Sequence, residues 1–143
     1  MADALPGNLT GSYLVRAGRW AYQDAHKWLP RTRDFAELRR HALKLRFWPG
    51  CASQDRGGQL LDLDWSWIKA LPGKCIGELR IHDTIGNCDN LRVIFHVPSL
   101  ETKPPILWVL SVLQKKRDDF TSTQIRNFEI RRSLVYERYY NTP

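Results

Sequence analysis

Cysteine is scarce. Cys51, Cys75 and Cys88 are the only three in 143 residues, an odd number without Cys-x-x-Cys spacing, which argues against a disulfide framework and against a structural zinc site. No apolar run reaches the roughly 20 residues that span a bilayer, and the first residues lack a basic segment leading into an apolar one. Internal repeats and low-complexity stretches are missing too. These absences predict a soluble cytoplasmic protein with no membrane partner. At 143 residues the chain can bury one real core and is too short for two.

What the sequence does have is positive charge and tryptophan. The formal net charge is +7, and six tryptophans stand at positions 20, 28, 48, 65, 67 and 108. Residues 1–75 hold 12 basic and 7 acidic side chains, and residues 76–143 hold 10 and 8, so the excess sits mostly in the first half. Such a balance fits a polyanionic partner, either nucleic acid or an acidic protein, without choosing between them.

Along the chain, residues 1–12 are small and polar and read as a flexible tail, leaving residues 13–143 as the domain. Tyr13-Leu14-Val15 is a candidate first strand. Ala17 to Leu29 is helical, with Trp20, Ala21, Asp24, Ala25 and Trp28 on one partly apolar face and Pro30 as its limit. The next helix is predicted with Asp34 as its cap, Glu37 three residues on, Phe35, Leu38, Ala42 and Leu45 as the buried stripe, and Pro49-Gly50 as the stop. Its Arg39, Arg40, Lys44 and Arg46 read first as a solvated face and second as a nucleic-acid surface. Residues 51–58 form a polar loop. Residues 60–68 are either a short strand or a strip of core.

The informative stretch is 75–123. Cys75 to His82 alternates, with Cys75, Gly77, Leu79 and Ile81 on one side and Glu78, Arg80 and His82 on the other. Leu91 to Val97 does the same, with Leu91, Val93, Phe95 and Val97 inward and Arg92, Ile94 and His96 outward, the signature of a half-buried antiparallel pair. The turn-prone residues 83–90 join them as a hairpin, and a register centred on Gly86 sets Arg80 opposite Arg92. Like charges so placed cost a fraction of a kcal/mol, which is reason to suspect an anion. Ile106 to Leu113 is apolar on both faces and belongs inside a sheet. It runs into Lys115-Lys116-Arg117, after which Thr121 and Gln124 offer a capping box. The helix that follows would bury Ile125, Phe128, Val135 and Tyr139 and carry Arg126, Arg131, Arg132 and Arg138 on its flanks. His82, Cys88 and His96 lack the paired spacing of a metal site, so neither metal nor cofactor is expected.

Gly77-Glu78-Leu79-Arg80-Ile81, then Leu91-Arg92-Val93-Ile94-Phe95-His96-Val97, then Leu110-Ser111-Val112-Leu113-Gln114-Lys115-Lys116-Arg117 and a closing basic helix resemble the RelE/ParE superfamily of type II toxin-antitoxin toxins. The likeness is to the HigB-like branch and covers the C-terminal half. It implies an α+β fold, a small antiparallel-rich twisted sheet braced by an N-terminal helical hairpin, with a C-terminal helix. It also implies a metal-independent endoribonuclease that cleaves messenger RNA on the ribosome and inhibits translation, and an acidic, DNA-binding cognate antitoxin as partner.

The chemistry suits the residues. A ribose 2′-hydroxyl can attack the adjacent phosphate if a base takes its proton and fixed cations steady the charge that develops, and arginine matches phosphate oxygens best. Arg80, Arg92 and Lys116 are the positions carried over from the superfamily. Glu78 and His96 are further catalytic candidates, because the lysines of the RelE type are replaced here by Ile76 and Glu78. Lys115, Lys116, Arg117, His82 and Arg132 are candidate RNA contacts. Tyr136, Tyr139 and Tyr140 also fall near the expected site. Two alternatives stay open: Glu78 as an ion-pair partner of Arg80 or Arg92, and Lys115-Lys116-Arg117 as a solvated strand end. A gyrase-directed ParE-type toxin, or an inactive binding member of the fold, would need no catalytic set.

Overall fold

The computed structural model describes residues 13–49, 63–98 and 105–140. The expectations for residues 1–12 and for the polar loop at 51–58 lie outside them, as does Cys51. The elements run β1 (Leu14–Ala17), α1 (Arg19–Trp28), α2 (Thr32–Leu43), a 3-10 turn (Lys44–Phe47), β2 (Trp65–Trp67), β3 (Ile76–Ile81), β4 (Leu91–His96), β5 (Ile106–Gln114) and α3 (Ser122–Val135), the last continued by a π-turn, Tyr136–Tyr140. The five strands form one mixed sheet in the order β1-β5-β4-β3-β2, so the fold is α+β. Only the β1–β5 pairing is parallel. No helix among the described residues is long and apolar enough to cross a membrane.

The β3–β4 hairpin is pinned at its tip by a two-residue turn. Gly86 and Asn87 have φ of 55° and 67°, and Ile85 and Cys88 exchange both backbone hydrogen bonds. Two consecutive positive φ values match the right-handed twist of a hairpin, which is why Gly and Asn stand there.

Both faces of the sheet are covered. Leu79, Ile81, Val93, Phe95, Leu107 and Val109 pack under α1 and α2, while Ile76, Ile94, Trp108, Leu110 and Leu113 pack under Phe128 and Val135 of α3. The expectation of a half-buried sheet is therefore corrected: on the supposedly outward side Ile94 is fully buried and His96 is 1% exposed. The capping box of α3 is as expected, with Thr121 Oγ1 accepting from the Gln124 N–H and Gln124 Oε1 accepting from the Thr121 N–H. The cap assigned to Asp34 is not. Arg31 occupies that position, and Asp34 falls in the first turn, where a carboxylate still favours the positive end of the helix dipole. The helix also stops earlier, at Leu43, tightening into the 3-10 turn before Pro49.

A bulge organises β5. Ile94 pairs with Ser111 and Phe95 with Val109, so Leu110 has no residue opposite. Beyond Ala17, β1 no longer covers the edge of β5, and a side-chain pair takes over. Asp24 of α1 accepts from Ser111 Oγ at 2.7 Å, from the Val112 N–H at 3.4 Å and from Arg131 Nη1 at 2.6 Å. Arg131 also donates to the Leu110 carbonyl at 3.0 Å. One α1 carboxylate and one α3 guanidinium thus satisfy the backbone that the bulge leaves free.

Candidate functional site

Arg80 and Arg92 are direct cross-strand partners, as the register centred on Gly86 predicts. Around them runs a row of polar groups that crosses the sheet from the end of β5 to β2. Glu78 Oε1 accepts from Arg92 Nε at 2.9 Å and lies 3.9 Å from Lys115 Nζ, while its Oε2 lies 3.9 Å from Arg80 Nη2. Arg80 donates to Asp64 Oδ1 at 3.0 Å and to Ser66 Oγ at 2.8 Å. Asp64 in turn holds His82 Nε2 at 2.7 Å through its other oxygen.

Burial grades along this row. The side chain of Glu78 is 7% exposed, Arg92 14%, Lys115 15%, Arg80 30% and His82 74%. Glu78 is therefore the buried anchor of an ion-pair network, not a free carboxylate at the surface. A buried carboxylate is tolerated only when paired, and three cations surround this one.

Lys115, and not Lys116, completes the group. Strand alternation counted without the bulge puts even-numbered residues of β5 on the arginine face. Skipping Leu110 reverses the phase, so Leu113 pairs with Arg92 and Lys115 follows it on that face. Lys115 Nζ also sits 4.6 Å above the Phe120 ring. Lys116 and Arg117 are exposed and enter none of the ion pairs of the row.

His96 sits elsewhere. Four residues separate it from Arg92 along β4, roughly 13 Å at the strand rise, and it lies beneath the C-terminal segment. Its Nδ1 is 2.9 Å from the Cys75 carbonyl oxygen and its Nε2 is 2.8 Å from the Tyr136 hydroxyl. A carbonyl only accepts, so Nδ1 carries the proton and Nε2 accepts from the tyrosine. Burial pushes the His96 pKa down to about 4, with the nearby Arg132 adding to the effect. The imidazole is neutral, buried and bonded at both nitrogens, which takes it out of the acid-base work expected of it.

The predicted RNA contact Arg132 belongs with His96 and not with the arginines. Its Nε donates to the Lys74 carbonyl, and its guanidinium stacks over the Tyr136 ring at 5.0 Å. Tyr140 accepts from Trp108 Nε1 at 2.9 Å. Tyr139 is half out, 49% exposed, against the expectation of burial, although its ring lies 4.6 Å from that of Trp108.

Two members of the row, Asp64 and Ser66, were not singled out from the sequence. Their signal was present in the alternation of residues 64–67: Trp65 and Trp67 turn toward Trp48 and Phe95, which leaves Asp64 and Ser66 for the opposite face. The face thus carries two guanidiniums and an ammonium balanced by two carboxylates, with one imidazole at its exposed end. Compared with known proteins, the chain matches no family model, no curated protein and no solved structure.

Proposed function

We propose that this protein is the toxin of a type II toxin-antitoxin pair and cleaves RNA without a metal, the substrate being messenger RNA engaged by the ribosome. The observation that carries the reading is the opposition of Arg80 and Arg92 with Lys115 beside them. Three cations held on one sheet face, two of them bidentate donors, suit the negative charge that builds on the two non-bridging oxygens of a phosphorane. The order of elements, a helical hairpin followed by antiparallel strands and a closing helix, agrees with what the resemblance to the RelE/ParE superfamily implies.

In this reading Arg80, Arg92 and Lys115 hold the scissile phosphate, and Glu78 fixes Arg92 in place. His82 is the group positioned to take a proton. Asp64 holds its Nε2 while most of the side chain stays exposed, and imidazole is the commonest general base. Lys116 and Arg117 make looser contacts with the strand.

The test is brief expression with RNA ends and plasmid supercoiling followed together, in the wild type and in Arg80→Ala, Arg92→Ala and His82→Ala. New RNA ends in translated messages that vanish in all three variants support the nuclease, and cleavage by purified protein in EDTA supports its metal independence. Intact RNA with lost negative supercoiling supports a gyrase-directed toxin instead. No effect on either points to an inactive binding member, the reading that the near-neutral balance of the row favours.

A further inference from the structure

On the other side of the sheet, α2 lies along the connection between β3 and β4. At the first turn of α2, Asp34 comes so close to Gly86 that a Cβ added there would stand 2.7 Å from Asp34 Oδ2. Farther along the same helix, Glu37 and His41 are four residues apart and so share one face, and Asp83 of the connection comes up against them. One ligand atom from each of Glu37, His41 and Asp83 lies within 4.8 Å of the other two.

The imidazole is the unusual member. Its side chain is 16% exposed, and Nε2 faces Asp83 Oδ2 at 3.2 Å. Yet Nε2 is inaccessible to solvent and makes no hydrogen bond among the described residues, because the approach to the carboxylate has the wrong angle. Nε2 thus lies against the Asp83 carboxylate in poor hydrogen-bond geometry, and a buried nitrogen so placed is short of a partner.

We propose that Glu37, His41 and Asp83 form a site for a single divalent ion of the zinc type, which ties the β3–β4 connection to α2. An imidazole nitrogen and carboxylate oxygens are all donors that zinc accepts, and a site with three protein ligands keeps a water in the fourth position. Such an ion holds its donors roughly 3.3–3.4 Å apart given bonds of about 2.0–2.1 Å, a closure that the half-exposed Glu37 and exposed Asp83 can make by rotamer changes. Arg40, 3.8 Å from Glu37 and 69% exposed, swings away at little cost. The site replaces the expectation that this chain takes no metal. It does not involve His82, Cys88 or His96.

The experiment is titration of the untagged full chain, stripped with EDTA, with Zn2+ by calorimetry and with Co2+ by its visible d–d absorption. One ion per chain is expected, with Mg2+ failing to compete. His41→Ala and Asp83→Asn should each weaken binding by about tenfold or more, in line with the cost of disturbing a metal site, while His26→Gln and Cys88→Ser leave it unchanged. Asp83 is exposed, so its variant keeps the fold even if His41→Ala does not. Binding that survives Asp83→Asn, a stoichiometry spread over several weak sites, or no Co2+ spectrum overturns the proposal. RNA cleavage reports on the opposite face, so the two proposals fail separately.

Discussion

The Nε2 of His96 accepts a hydrogen bond from the hydroxyl of Tyr136 at 2.8 Å, beneath the turn that ends the chain's last helix. Its depressed pKa, about 4 against an ordinary 6.5, makes this pair a source of acid sensitivity. Between those values the unfolded chain binds a proton that the folded chain refuses, so stability rises with pH across that window. It is complete above about pH 6.5 and lost on the way down to about pH 4, by on the order of 3 kcal/mol. His41 acts in the same direction, so the wild type should be compared with His96→Gln in urea at pH 7 and pH 5. The gap between the two proteins should narrow at the lower pH.

Glu78 decides between two roles for the arginine face. Replacing it by Gln removes one charge from the row and loosens Arg92, with an expected loss of about 1–3 kcal/mol of stability. Arg92 is then free to meet a phosphate. Affinity for a single-stranded RNA should rise, and the slope of log affinity against log salt should steepen by about 0.7, while cleavage falls because Arg92 is no longer aimed. Unchanged binding with abolished cleavage would instead identify Glu78 as a general base.

Asp24 and Arg131 stitch α1, the bulge of β5 and α3 together. Asp24→Ala leaves a guanidinium, a hydroxyl and a backbone N–H without their acceptor, at a cost of about 2–4 kcal/mol in urea unfolding. Pairing it with Arg131→Met should recover part of the loss, because the stranded charge is gone. A double variant no better than the single would show that the Leu110 carbonyl alone keeps Arg131 satisfied.

Gly77 permits the ring of Phe95 to lie against its backbone. A Cβ there would stand 2.7 Å from Phe95 Cζ and 3.1 Å from the Ser66 carbonyl oxygen. Gly77→Ala should cost about 1–3 kcal/mol by overpacking, and tryptophan fluorescence should shift, since Trp48, Trp65 and Trp67 all contact that phenylalanine ring. Trimming the partner in Gly77→Ala with Phe95→Leu should restore much of it.

The parts of this fold written in local pattern were readable. Strand alternation and a turn centred on Gly86 set Arg80 opposite Arg92, and Thr121 with Gln124 marked the start of α3, because each depends only on neighbours in sequence. What depended on distant packing was not. His96 in an alternating strand looks like a solvent-facing residue until α3 is laid over it, although the Ile94 beside it hinted at a cover. Lys115 displaced Lys116 because of a single unpaired residue, Leu110, inside a run apolar on both faces where periodicity carries no phase. Asp34 looked like a cap because its side chain suits one, but the helix starts three residues sooner, with Arg31 as the cap.

The parallel pairing of β1 with β5 sets a timetable for the newly made chain. Leu14 meets Ile106 and Ala17 meets Val109, so the first strand waits for the last. At about 5–20 residues per second, synthesis of the intervening segment takes roughly 5–20 s. Throughout that interval the sheet edge stays open and the polar row lacks Lys115. A half-translated copy therefore lacks the complete row, which closes only once β5 and the lysine that follows it have been made.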